Sequence, residues 1–260
     1  MINKYWAERA AKAQTALTDK NLIEIEKQMR LYYISSMKKT LGDFENTYYK
    51  ILQSITDEKE ITPADLYKLD AYWQLQAQIK AELQKLGDKE VEYLTKRFVK
   101  QFEGVYETLA IPGEAMFNTL DKSVVEQMIN NIWVADGKSW SERIWLNTEK
   151  LADALNENLI YCLTTGKKPG QLKKLLQTQF NVSFSRADAL VRTELAHIQT
   201  QAAQKRYTDY GIQEVEVLVD EDERTCPECA KLEGKRYPVN AVMPVPIHPR
   251  CRCCMIPVVE

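Results

Sequence analysis

Apolar side chains recur every three or four positions through the first 110 residues, the spacing that lines one face of an α-helix. Met37, Leu41, Phe44, Tyr48, Ile51 and Ile55 form one stripe, and Leu22, Ile25, Met29 and Tyr32 lead into it. A second helix is predicted from Thr62-Pro63-Ala64-Asp65, an N-cap threonine followed by proline at the first helical position. Its stripe, Leu66, Leu69, Trp73, Ile79, Leu83 and Leu86, is expected to stop at Gly87. A third helix carries Val91, Leu94, Phe98, Phe102, Val105 and Leu109 before Pro112-Gly113. Three long helices with short breaks predict an elongated antiparallel bundle over residues 1–111, with the striped aromatics as its core.

The next hundred residues keep offering helix boundaries. Ser123 with Glu126 and Ser139 with Glu142 have the spacing of a capping box, separated by a turn at Asp136-Gly137. Gly166 ends one helix, Pro169-Gly170 opens the next, and Ser185 with Asp188 predicts another that runs to Gly211. Then the period drops to two. Val215, Val217 and Val219 alternate with Glu214 and Glu216, the pattern of a half-buried strand. Prolines shift at the same place: three occur in the first 226 residues and six from Pro227 to Pro257. The expected fold class is therefore mostly α, with an N-terminal long-helix region (1–111) and a second domain (112–260). That domain is helical over 112–211 and continues as a small α+β lobe over 212–260.

Five of the six cysteines and one of the two histidines lie in that last segment. Cys226-Pro-Glu-Cys229 has the spacing of a zinc knuckle, in which a tight turn aims backbone N–H groups at the sulfurs. About twenty residues on, His248-Pro-Arg-Cys251-Arg-Cys253-Cys254 supplies a second cluster. Two such pairs closed across a loop give the tetrahedral site that zinc prefers. The expected ligands are Cys226, Cys229, His248 and Cys253, with Cys251 as the substitute and Cys254 buried as a small hydrophobe. With all four places filled by protein the ion is structural and holds together a lobe with little core of its own. The first residues, MINKYWAERAAKAQ, lack the apolar stretch of a signal peptide, and no run is long enough for a membrane span. A reducing cytosol is expected, where clustered cysteines suit metal better than disulfides.

Charge narrows the function classes. The net charge is −2, with 17 basic and 17 acidic residues in 1–110, 12 and 14 in 111–220, and 6 and 6 after that. No segment carries the basic excess that gripping DNA phosphates requires, so direct DNA contact is not supported. A metal-dependent nuclease or DNA-binding module is the alternative reading. It would need His197, on a helix, as a base, or Asp220-Glu221-Asp222-Glu223 as a cation site. A helical histidine is ordinarily packed or solvated, and an acidic run is ordinarily a solvated loop, so no enzyme is expected.

The ordered series of short motifs in the second half resembles a known family. It comprises Arg192-Thr193-Glu194, Tyr207 to Gly211-Ile212, and a strand, then Asp222-Glu-Arg224-Thr225-Cys226-x-x-Cys229, Leu232-x-Gly234 and His248-Pro-x-Cys251-Arg-Cys253. Over residues 125–257 it is similar to the phage Mu F-like minor head proteins, head morphogenesis proteins of tailed bacteriophages. The resemblance implies a low-copy structural component inside the virion head near the portal, made in the host cytoplasm. It implies a role in procapsid assembly and DNA ejection, with the portal protein as partner and scaffold or major capsid protein as further contacts. It carries over no catalytic residue. Arg192, Glu194, Asp222 and Arg224 match the family motif. Residues two apart on a helix do not face each other, so Arg192 and Glu194 are expected to have separate partners, one or both tying the long helix to the zinc lobe.

Overall fold

A computed structural model describes residues 2–54, 61–109, 120–219, 223 and 225–259, with the backbone alone at 2–4, 6 and 7. The helices are α1 (Ile2–Ser54), α2 (Pro63–Leu66), α3 (Asp70–Thr108), α4 (Lys122–Ile129), α5 (Trp140–Thr164), α6 (Pro169–Asp209) and the single turn α7 (Pro227–Ala230). The strands are β1 (Glu214–Leu218), β2 (Arg236–Pro238) and β3 (Cys254–Pro257). Ile55, Pro112, Gly113, Asp220, Glu221, Asp222 and Arg224, singled out above, lie outside the described residues.

Two expected helix boundaries are absent. Gly87 does not end a helix: α3 runs through it from Asp70 to Thr108. A Cβ built at this position would sit 2.4 Å from Cζ3 of Trp145, so the glycine makes room for an indole that crosses the helix. Ser185 and Asp188 do not start one either, because both lie inside the continuous α6. The start at Thr62 is real but brief. Its hydroxyl accepts from Asp65 N and its own N–H donates to the Asp65 carboxylate, yet α2 ends after four residues and α3 begins afresh at Asp70. Asp121, rather than Ser123, caps α4 by accepting from Ser123 N. The turns at Gly137, Gly166 and Gly211 all have positive φ, as their glycines allow.

The chain forms two compact units, each assembled from separate stretches. Unit 1 comprises residues 1–26, 94–140 and 188–260; unit 2 comprises 27–93 and 141–187. Unit 2 is a bundle of four helical stretches from α1, α3, α5 and α6. Paired contacts give their directions. Tyr32–Tyr93 and the Lys39–Glu82 attraction make α1 and α3 antiparallel. Tyr33–Ser183 and Glu45–Lys173 do the same for α1 and α6. Its core includes Phe44, Ile51, Leu83, Leu155, Leu176 and Phe180. Three core positions differ from the predicted stripes. Tyr72 is buried and Trp73 is 54% exposed, Tyr33 rather than Tyr32 points inward, and Glu90 takes the inward place beside Val91.

Unit 1 packs α1, α3 and α6 stretches with α4 and the three-stranded sheet. The sheet has the order β2-β1-β3 and is antiparallel throughout. Val215 and Val217 of β1 are buried as their alternation predicts, and Val217 lies opposite Met255 of β3. Strand β3 has no alternation to announce it, since all four of its residues are buried. Tyr207, fully buried near the end of α6, donates its hydroxyl to Met255 O at 3.1 Å, and Gln14 of α1 donates to the same carbonyl at 3.0 Å. No described helix is long and apolar enough to cross a membrane.

Candidate metal centre

The first pair of cysteines is set by one helical turn. Cys226 is the N-cap of α7, Pro227 occupies its first position, and Cys229 N–H donates to Cys226 Sγ at 3.3 Å. That bond favours the thiolate and lowers the Cys226 pKa. Gly234, with φ of 69°, then turns the chain back into β2. The second group is set by the turn His248-Pro-Arg-Cys251, closed by Cys251 N–H on His248 O at 3.2 Å. Arg250 holds a positive φ of 63° within it.

The two groups meet at Cys229. Cys226, Cys229 and His248 offer ligand atoms within 4.8 Å of one another, and so do Cys229, Cys251 and Cys253. Cys229 Sγ is 3.1 Å from His248 Nε2 and 3.8 Å from Cys251 Sγ. Cys229, Cys251 and Cys253 are buried, while Cys226 and His248 are half-buried. None of the six cysteines is in a disulfide. Cys254, expected as a buried hydrophobe, is buried in β3 and belongs to neither group.

The donors are chemically matched to a cation. His248 Nδ1 lies 2.8 Å from Pro249 O and donates to it, which leaves the Nε2 lone pair facing the sulfurs. That bond to the carbonyl also raises the His248 pKa. Cys251 is held low chiefly by a hydrogen bond from Cys253, and Cys253 is raised by the same bond; burial raises Cys229. The thiolate is thus favoured at Cys226 by a backbone N–H and at Cys251 by its neighbour's S–H. A metal ion bound here would displace the thiol protons and neutralise the sulfurs. The cluster of Cys226, Cys229, His248, Cys251 and Cys253 can hold a metal.

The Arg192-Thr193-Glu194 triplet has three separate jobs. Arg192 Nε reaches Asp188 at 2.9 Å and its Nη2 reaches Glu26 at 3.2 Å. Thr193, between the two expected residues, is the one that touches the His248–Cys251 turn. Its hydroxyl donates to Ala189 O at 2.7 Å and accepts from Arg250 N–H at 3.1 Å. Arg250 also places its guanidinium 3.2 Å from Asp188. Arg192 is thus linked to the lobe through Asp188, and Thr193 directly. Glu194 points elsewhere: it accepts from Trp133 Nε1 at 3.0 Å, and the Trp133 ring stacks on His197 at 4.2 Å. His197 is packed rather than exposed, and burial pulls its pKa down to about 4. Farther along α6, Gln204 donates to Val239 O and Ala241 O, fixing the loop after β2.

Sequence alone offered a signal for Thr193, since it sits within the matched triplet, but its hydroxyl is common on helices. Asp188 was legible as a helix start and instead serves two arginines. Replacing Thr193 with valine keeps the shape and removes the acceptor. The expected cost is about 1 kcal/mol, read as a lower denaturation midpoint and faster amide exchange at residues 248–253. Unchanged exchange there would show that Arg250 N–H does not depend on Thr193. Beside the turn lies a cleft of about 630 Å³, lined by Thr18 and Leu22 of α1, Arg192 and Gln199 of α6, and Arg252.

No curated protein and no solved structure matches the chain. Residues 153–256, from within α5 to the third residue of β3, match the model of the phage Mu protein F like family. That span contains the Thr193–Arg250 tie and all five clustered donors. Over this segment the chain is similar to the phage Mu F-like proteins.

Proposed function

We propose that this protein is a structural component of a tailed-phage head that acts in head assembly at the portal vertex. The match over residues 153–256 to a family of phage head morphogenesis proteins carries the reading. The site fits it, because the donor cluster is suited to closing a rigid lobe. The portal protein is the partner, with scaffold or major capsid protein as further contacts. The protein resides in the virion interior and takes part in DNA ejection from that position.

Zinc is the ion best suited to these donors. Two sulfurs bound tetrahedrally to one zinc at about 2.3 Å lie about 3.8 Å apart, and Cys229 and Cys251 are separated by 3.8 Å. Five donors compete for four places. Cys226, Cys229, His248 and Cys253 make one set, and Cys251 enters on the strength of that spacing. Cobalt substitution tells whether Cys251 displaces His248, since the ligand-field and thiolate charge-transfer bands report three sulfur ligands or four. Cys251→Ser and Cys253→Ser variants separate the two three-sulfur sets.

The function is tested by co-expressing the full chain with the portal protein of the same phage and measuring the mass of the tagged complex. A defined complex with a fixed number of chains per portal ring is expected. Clean separation of the two proteins at micromolar concentration would overturn portal docking.

A further inference from the structure

The core of unit 2 is not wholly apolar. At one level each of its four helices contributes a polar side chain: Tyr33 from α1, Glu90 from α3, Asn147 from α5 and Ser183 from α6. Their exposures are 3%, 0%, 7% and 1%. Asn147 Nδ2 donates to Tyr33 Oη at 3.1 Å and to Ser183 O at 2.9 Å, and Tyr33 Oη lies 3.4 Å from Ser183 Oγ.

The layer has more acceptors than donors. Both protons of the Asn147 amide are used, while Asn147 Oδ1 and both carboxyl oxygens of Glu90 have no hydrogen-bond partner of good geometry. The Tyr33 hydroxyl interacts with the Glu90 carboxyl and, among the described residues, is the only titratable group that acts on it. The polar side chains that α5 and α6 add to the layer, Asn147 and Ser183, both bonded or adjacent to Tyr33, do not titrate. Arg30, one turn before Tyr33 on α1, is stacked on the Phe184 ring at 4.6 Å. An ionised carboxylate buried without a cation or donors is very costly, and the usual resolution is to keep the proton.

We infer that Glu90 is a buried proton-binding site: unit 2 folds around Glu90 as a neutral acid, and its core loosens when alkaline solution removes the proton. The neutral acid supplies the O–H donor that the layer lacks. Burial raises the Glu90 pKa to about 8 from an ordinary 4.5. Its contribution to stability is therefore complete below the ordinary value and is lost as pH rises through about 8.

Hydrogen exchange on the full chain, corrected for intrinsic rates, tests this between pH 6 and pH 9. Peptides covering residues 29–40 and 83–94 should lose protection by about a hundredfold in the wild type and stay flat in Glu90→Gln. If Glu90→Gln fails to fold, Glu90→Met removes both oxygens and serves instead. Infrared difference spectra of the unaltered protein give a second reading: a protonated-carboxyl band at pH 7 that disappears reversibly by pH 10. Equal alkaline loosening in wild type and variant would overturn the inference. So would pH-independent protection in the wild type, or the absence of any protonated carboxyl at pH 7.

Discussion

Cys229→Ala should release the metal and unfold residues 225–259 while unit 2 keeps its structure. Cys229 is the right position because it belongs to both ligand groups, whereas Cys226, His248, Cys251 and Cys253 each belong to one. Losing any of those four leaves substitutes; losing Cys229 leaves no intact triad. In small zinc domains the bound ion contributes about 10–16 kcal/mol to folding, comparable to or larger than the ~5–15 kcal/mol net stability of a whole domain. The lobe's other support is a small sheet and a few hydrogen bonds from α1 and α6. Among the described residues its strands number three to five residues each. Limited proteolysis should cut the variant after β1, and exchange should collapse over β2 and β3. The α3 and α5 peptides of unit 2, which share no residue with the lobe, should remain protected. A variant lobe that resists protease as well as the wild type would show that metal does not hold it.

Gly87→Ala should destabilise unit 2, the opposite of what a helix interior normally gives. Exchanging glycine for alanine in an exposed helix gains about 1 kcal/mol. Here the new methyl would meet the Trp145 ring at 2.4 Å, 2.8 Å and 2.9 Å from three of its carbons. Displacing a packed indole costs about 1–3 kcal/mol, so the net loss is up to about 2 kcal/mol. Urea denaturation followed by circular dichroism reads it as a lower midpoint. In a Trp145→Ala background the same change should turn stabilising, because the obstacle is gone. A stabilising Gly87→Ala in the wild-type background would mean that Trp145 moves aside freely.

Helices were legible in the sequence wherever apolar spacing alone fixed them, and the β1 strand wherever valine alternated with glutamate. Two kinds of residue misled. Gly87 and the Ser185/Asp188 pair carry boundary chemistry but are used for side-chain packing and ion pairing inside continuous helices. Local propensity cannot see a Trp145 that arrives from 58 positions away. The polar core residues were the other kind. Ser36, Thr40 and Glu90 occupy inward positions that a search for apolar stripes passes over. The knuckle cysteines were legible from spacing, because C-x-x-C on a turn admits few other uses. Their convergence on Cys229 depends on a loop of about twenty residues and could only come from the fold. The same holds for Thr193, whose partner is a backbone N–H 57 residues on.

A metal-closed lobe is tested most directly by native mass spectrometry of the full chain purified without chelator, beside Cys229→Ala prepared identically. One zinc ion per chain is expected in the first and none in the second. A wild-type chain that carries no metal yet keeps residues 225–259 protected from protease would contradict it.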